Sequence, residues 1–103
     1  MSIFSKRLKQ ARKTAGLSQE KLGIEAGIEP ASASARMNQY EKGVHSPGEG
    51  TVRQIAEACR LPVAYFYCER DDEAELLALY HKLKKAEQEE VLIAVQTFSK
   101  NSS

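Results

Sequence analysis

Residues 17–43 read LSQEKLGIEAGIEPASASARMNQYEKG, and this stretch decides the fold of the chain. Ser18 can accept a hydrogen bond from a free backbone N–H group, which is how serine begins a helix. Gly27 tolerates the left-handed conformation that ends many helices, and Pro30 suits the first position of a new one. The stretch therefore predicts two helices joined by a turn at Gly27.

The second of these helices is predicted over about residues 30–41, with one apolar face formed by Ala33, Met37 and Tyr40. A different face carries small and polar side chains at i, i+3, i+4 and i+7, namely Ser32, Ala35, Arg36 and Gln39. Arginine pairs with guanine and glutamine with adenine, serine bonds to either, and an alanine methyl contacts thymine. Because a helix also fits the major groove, this face is a candidate surface for reading duplex DNA.

Three motifs in the first half of the chain resemble those of one known family. They are RLKQARKTAGLSQEKLG at 7–23, NQYEKG at 38–43, and Pro47 just beyond. Over about residues 4–68 the chain is similar to the helix-turn-helix domain of the Cro/C1-type phage-repressor family, also called the XRE-like regulators. The resemblance implies an all-α fold in which the helix at 30–41 is the recognition helix.

The resemblance also implies roles for individual residues. Arg12 and Glu41 match an ion pair that locks the recognition helix to helix 1; the alternative is two exposed charges worth under about 1 kcal/mol. The implied base-reading positions, with the arginine and glutamine foremost, are Arg36, Gln39, Ala35, Ser32 and Ser34. The implied phosphate or groove-edge contacts are Gln19, Asn38, Lys42 and Ser18. The alternative for Gln19 is an ordinary exposed residue in a first helical turn.

This chain departs from most members of the family by having more residues between Gly27 and Gly43, around positions 28–32. The extra residues either lengthen the recognition helix at its N-terminus or widen the loop before it. The base-reading assignments at the two serines of the ASASA run are the weaker ones. Small side chains there also suit close packing against a neighbouring helix.

Charge is distributed unevenly, although the formal net charge is only +1. Residues 1–48 hold eight Lys or Arg and four Glu, a balance of +4, whereas residues 49–103 hold seven basic and ten acidic residues, a balance of −3. The first half therefore carries the positive charge that favours contact with phosphate. A hydrophobic content of 42% over 103 residues indicates one small globular domain with an appendage.

Other classes of function find no support in the sequence. The absence of a run of about 20 apolar residues, or of a signal-peptide core, predicts a cytoplasmic protein without membrane contact. Cys59 and Cys68 lack zinc-site spacing, so no metal is expected, and no other cofactor is expected. The chain shows no phosphate loop, HExxH or nucleophile-elbow motif, so no catalytic residue is assigned and no enzyme is predicted.

The domain continues with two further predicted helices, at 51–59 and 63–68. The first has apolar residues at helical spacing, and the second follows Pro62, which suits a helix start. The predicted architecture is therefore all-α, a five-helix phage-repressor-like DNA-binding bundle over residues 1–70.

Residues 71–103 are predicted to form a C-terminal helical hairpin with helices at about 72–84 and 86–99. Both helices carry broad apolar stripes that a hairpin alone cannot cover. We favour homodimerisation through Leu76, Leu79, Tyr80, Leu83, Val91, Leu92, Val95 and Phe98. The alternative is a hairpin that folds back on its own bundle. A dimer would place two recognition helices about 34 Å apart and require a roughly palindromic operator.

The sequence thus predicts a homodimeric, sequence-specific transcriptional regulator, in the first place a repressor that occupies its operator. Its predicted partners are double-stranded DNA and a second copy of the chain. Two alternatives stay open, an antitoxin-type module whose hairpin covers a toxin, and a controller protein of a restriction-modification system. An activator that contacts polymerase also stays open.

Overall fold

The computed structural model describes residues 2–102, and every regular element in that range is helical. The elements are α1 Ile3–Thr14, α2 Gln19–Glu25, α3 Pro30–Lys42, α4 Glu49–Cys59, a 3-10 helix Val63–Tyr67, α5 Asp71–Lys82 and α6 Lys85–Asn101. The predicted all-α fold is confirmed, and each predicted helix lies within about two residues of its expected position. Between residues 2 and 102, no helix combines the length with the apolar character that a membrane crossing requires.

Short-range signals set the ends of α2 and α3. The Ser18 hydroxyl accepts a hydrogen bond from the Lys21 backbone N–H at 3.0 Å and so caps α2. Gly27 and Gly43 have φ of +87° and +75°, a left-handed conformation that glycine adopts without steric cost. Pro30 is the first residue of α3, where a missing N–H leaves no hydrogen bond unmade.

The first four helices and the 3-10 helix share one core. Its least exposed apolar side chains are those of Leu8, Leu22, Ala33, Met37, Ile55 and Phe66. The predicted short helix at 63–68 is present as a 3-10 helix, because its backbone hydrogen bonds span three residues, from Tyr65 N–H to Pro62 C=O and from Cys68 N–H to Tyr65 C=O. This tight turn still buries Phe66, whose ring lies edge-on to that of Tyr65.

One residue holds a conformation that its type disfavours. Arg60, the C-cap of α4, has φ of 56° and ψ of 46°. The next residue, Leu61, is buried and donates its backbone N–H to the Ala56 carbonyl at 2.9 Å. The burial of Leu61 therefore holds Arg60 in the left-handed region, at a cost of about 1–2 kcal/mol.

The last two helices differ in how they pack. α5 lies against the bundle, where Ala74 is buried. α6 contains no buried residue, and its link to α5 includes a hydrogen bond from the Gln88 side-chain amide to the Tyr80 carbonyl at 2.9 Å. The chain is accordingly elongated, with extents of 53 × 27 × 22 Å. The two predicted C-terminal helices are present, and α6 does not fold back onto the bundle.

Candidate nucleic-acid interface

The side of α3 that faces away from the core is exposed over its full length. The core side is formed by Ala33, Met37, Tyr40 and Glu41, all buried. At about 100° per residue, the opposite side of the helix holds Ala31, Ala35, Gln39 and Lys42, all exposed. Arg36 lies beside this row and is also exposed. The helix therefore presents its small and polar side chains outward from the body of the protein.

The ASASA run divides between packing and exposure. Ala33 is fully buried, and a Cβ added at Gly23 of α2 would lie 2.8 Å from the Ala33 Cβ. The expected close packing of small side chains is therefore present, but the residue that packs is Ala33 and not one of the two serines. Ser32 is half-buried and Ser34 is exposed. α3 begins at Pro30, so residues 30–32 of the 28–32 segment belong to the helix and residues 28 and 29 to the turn before it.

A hydrogen-bonded network fixes α3 to the two preceding helices. Arg12 Nε lies 2.6 Å from Glu41 Oε2, and Arg12 Nη2 lies 3.2 Å from Glu41 Oε1. The Glu41 side chain is 4% exposed and that of Arg12 is 14% exposed, so the pair lies inside the protein. Arg12 Nη1 also donates to the Leu17 carbonyl at 3.0 Å. This bidentate ion pair joins α1, the turn before α2, and the last turn of α3.

Gln19 belongs to the same network. Its side-chain amide donates to Asn38 Oδ1 and to Glu41 Oε1, each at 3.2 Å. Both contacts tie the start of α2 to α3. The Asn38 side chain accepts through its oxygen, and its own NH₂ group makes no hydrogen bond within the described residues. The geometry therefore gives Gln19 a positioning role and leaves the Asn38 amide free to donate.

The positive charge of the first half is smaller at the surface than the sequence count predicts. Lys6 and Arg7 pair with Asp71, and Arg12 pairs with Glu41. The basic side chains of this half that are exposed and without an ion pair among the described residues are Lys9, Lys13, Lys21, Arg36 and Lys42. Two of these five belong to α3, so this helix keeps its positive charge.

Sequence reasoning missed several neighbours of Arg36. His45 and Ser46, in the loop after α3, line one cleft with Arg36 and Gln39. Residues of the first half of α4 line a second cleft beside Ser32 and Arg36, and they are Thr51 and Gln54. His45 and Ser46 could have been identified from the sequence, because they lie in a polar loop directly after α3.

The groups with perturbed pKa values at the core lie on the other side of the bundle. Burial raises the pKa of the Cys59 thiol to about 11, and burial also raises the pKa of Tyr65. Both side chains border a groove between α1 and α5. Within residues 2–102, no group of three or more His, Cys, Asp or Glu side chains is placed to hold a metal ion.

The model of the helix-turn-helix domain family matches residues 3–65, more than half of the chain. The chain therefore belongs to the helix-turn-helix family, as its motifs predicted. In such domains the second helix of the helix-turn-helix motif, which corresponds to α3 of this chain, lies in the major groove of DNA. The protein is therefore a DNA-binding protein.

Among solved structures, the chain is similar to the transcriptional regulator BswR, with 41% sequence identity and a TM-score of 0.85. The match covers 94% of each chain, so it extends beyond the bundle into the C-terminal helices. No curated protein matches the chain. Family and fold are those of DNA-binding transcriptional regulators, a class that is typically non-enzymatic.

Proposed function

We propose that the protein is a homodimeric transcriptional regulator that represses its target genes by occupying a palindromic operator. The observation that carries this proposal is the exposed face of α3, which bears Arg36 and Gln39 while Glu41 fixes the helix from behind. A side chain on a rigid helix requires no ordering of the backbone when it binds, so more of its contact energy appears as affinity and specificity.

The proposed base contacts follow from the chemistry of the side chains. Arg36 donates two hydrogen bonds to guanine, Gln39 pairs with adenine, and the Ala35 methyl contacts thymine. Ser34 and Ser32 lie near these three residues. Ser32 is half-buried, so we expect it to contribute less to base contacts than Ser34 does.

The proposed backbone contacts surround the base-reading row. Lys42 supplies charge to a phosphate, and the free amide of Asn38, held by Gln19, donates to another. Ser18 stands at the start of α2, where its hydroxyl already caps the helix. His45 is added here because it lines the same cleft as Arg36.

The proposed dimer contact is the apolar face of α5 and α6. Several large apolar side chains there are more than half exposed, among them Leu76, Leu79, Leu92, Val95 and Phe98. Exposed apolar side chains clustered in this way mark protein interfaces. α6 has 17 residues and no buried side chain, so packing against the rest of the same chain stabilises it little. A second copy suits this face because a two-fold dimer matches the symmetry of a palindromic operator.

The DNA part of the proposal is tested by selecting binding sites from random duplex DNA. Affinities for a selected site and a scrambled one are then compared at one salt concentration. Arg36→Ala should lose about 1–3 kcal/mol on the selected site and relax base preference. Lys42→Ala should weaken both DNAs alike and lower the salt slope by about one. Lys85→Ala removes a positive charge from α6 and serves as the control. Equal affinity of the unmodified protein for the two DNAs would refute specific recognition.

The dimer is tested with two matched variants in α6. Val95 and Ile93 are 51% and 60% exposed, and at about 100° per residue they project from nearly opposite sides of the helix. Val95→Glu places a charge within the proposed contact and should yield a monomer in light scattering. Ile93→Glu should remain a dimer. An unmodified protein that is monomeric at micromolar concentration would refute the homodimer and assign the apolar face to a different protein, as in an antitoxin.

Repression is tested with a reporter gene behind the selected site. Expression should fall when the protein is present and recover with Arg36→Ala. A rise in expression would indicate an activator.

A further inference from the structure

The most deeply buried charged side chain of the described protein lies outside the recognition surface. The Arg7 side chain is 2% exposed, although its neighbours Lys6 and Lys9 are exposed. Burying a guanidinium without partners costs free energy, so the hydrogen bonds of Arg7 indicate what its burial stabilises.

All partners of Arg7 beyond its own helix lie at the start of α5. Its Nε donates to the Cys68 carbonyl at 2.9 Å, and its Nη2 donates to the Glu69 carbonyl at 3.3 Å. Its Nη1 lies 2.9 Å from Asp71 Oδ1 and also 2.9 Å from Gln10 Oε1 on α1. One side chain of α1 thus holds the connector before α5 and the first residue of α5.

α5 joins the DNA-binding bundle to the proposed dimer contact, because one side of it faces the bundle and another side carries part of that contact. Asp71, Ala74 and Ala78 line the groove that faces α1. At about 100° per residue, Leu76 and Leu79 project away from that groove. The angle at which α5 meets the bundle therefore decides where a partner bound to these leucines would place its own α3.

We infer that Arg7 and Asp71 are positioning residues that set the spacing between the two half-sites that the dimer recognises. This inference rests on the proposed function, since it requires a dimer that reads two half-sites. The Arg7–Asp71 pair holds α5 at one angle, and that angle fixes the separation of the two recognition helices. Successive base pairs are about 3.4 Å apart, so a shift of a few ångströms at α3 corresponds to one base pair of spacing.

The chain offers a matched pair of variants for the test. Asp71 and Asp72 are both exposed and both lie in the first turn of α5, but Asp72 pairs with Arg70 and not with α1. Asp71→Ala and Asp72→Ala therefore remove the same charge from the same helix end, and only the first removes the carboxylate that pairs with Arg7 and Lys6 of α1. Because Asp71 is a surface residue, both variants should fold.

The assay uses the full chain and a site selected by the unmodified protein. Affinity is measured for that site, for versions with one base pair added or removed at the centre, and for a single half-site. The unmodified protein and Asp72→Ala should favour the original spacing by about tenfold. Asp71→Ala should reduce this preference to about threefold or less, while half-site affinity and dimer mass stay unchanged.

Two results would overturn the inference. One is an Asp71→Ala protein whose spacing preference equals that of Asp72→Ala. The other is a loss of half-site affinity as large as the loss on the full site, because the pair would then act within the bundle. A monomeric unmodified protein, or one that does not distinguish DNA sequences, would instead refute the proposed function. If Asp71→Ala does not fold, Asp71→Ser with Asp72→Ser as control gives the same comparison, because serine lacks the carboxylate that Arg7 contacts.

Discussion

The close approach of α2 and α3 predicts that Gly23→Ala will destabilise the protein. A Cβ at position 23 would lie 2.8 Å from the Ala33 Cβ, 2.9 Å from the Ala33 carbonyl oxygen and 3.1 Å from the Ala33 Cα. Carbon atoms in contact normally lie about 3.5–4.0 Å apart, so the two helices would have to separate by close to 1 Å. Two of the three atoms belong to the backbone, so no side-chain rotation relieves the overlap.

The size of the effect follows from two opposing contributions. Alanine favours a helix over glycine by about 1 kcal/mol, whereas overpacking costs about 1–3 kcal/mol. Because backbone atoms are involved, the cost lies near the upper end, and the net loss should be about 1–2 kcal/mol. Gly50→Ala is the matched control, since Gly50 lies in α4 with no atom within 4 Å of an added Cβ. It should gain about 0.5–1 kcal/mol.

Urea and thermal unfolding followed by circular dichroism measure both variants. The two melting temperatures should separate by about 4–8 °C for each kcal/mol of difference in stability. Ala33→Gly should cost less stability in the Gly23→Ala protein than in the unmodified one, because only there does it also remove the Cβ overlap. Equal stabilities of Gly23→Ala and Gly50→Ala would show that α2 and α3 do not meet as closely as described.

Further predictions concern the ion pair, the strained cap and the two cysteines. Glu41→Ala leaves Arg12 uncompensated and should cost about 3 kcal/mol in urea unfolding; a cost below about 1 kcal/mol would mean that the pair behaves as an exposed one. Arg60→Gly should raise stability by about 0.5–1 kcal/mol, since glycine adopts the left-handed conformation freely, and a lower melting temperature would contradict this. Iodoacetamide at pH 8 should modify the half-buried Cys68 before the buried Cys59, as followed by peptide mass spectrometry; equal rates would contradict the burial. The free energy of unfolding should also fall as the pH rises from about 9 towards 11, because the Cys59 thiol ionises at 9.0 when unfolded and at about 11 when folded. Cys59→Ala should reduce this fall, and an unchanged slope would indicate another group.

Much of the fold follows from signals that act over a few residues. The Ser18 cap, the glycines at 27 and 43 and the proline at 30 fixed the bounds of α2 and α3 because they act on the backbone beside them. Helical periodicity likewise assigned the buried and exposed sides of α3, which required no knowledge of the partner helices.

The candidate site was predictable where it lies on that one helix. Arg36 and Gln39 were identified from spacing and side-chain chemistry, and both are exposed on α3. His45 and Gln54 were not identified, because their proximity to Arg36 depends on how the next loop and helix pack. The pairing of Arg12 with Glu41 came from family resemblance, since 29 residues separate the two.

The sequence by itself determined the helices, their caps and the chemistry of the recognition face, because each of these depends on neighbours within about one helical turn. Only the tertiary structure decided which charges are buried and which apolar faces stay open. Arg7 is one of the eight basic residues counted in the first half of the chain, yet it is buried by contacts with residues 61 to 64 positions away. The apolar stripe of α6 was consistent with a dimer contact or with packing on its own bundle, and the structure leaves it exposed because α6 does not pack on the bundle. A local pattern records that a side chain suits burial, and only the packing of distant elements supplies the surface that buries it.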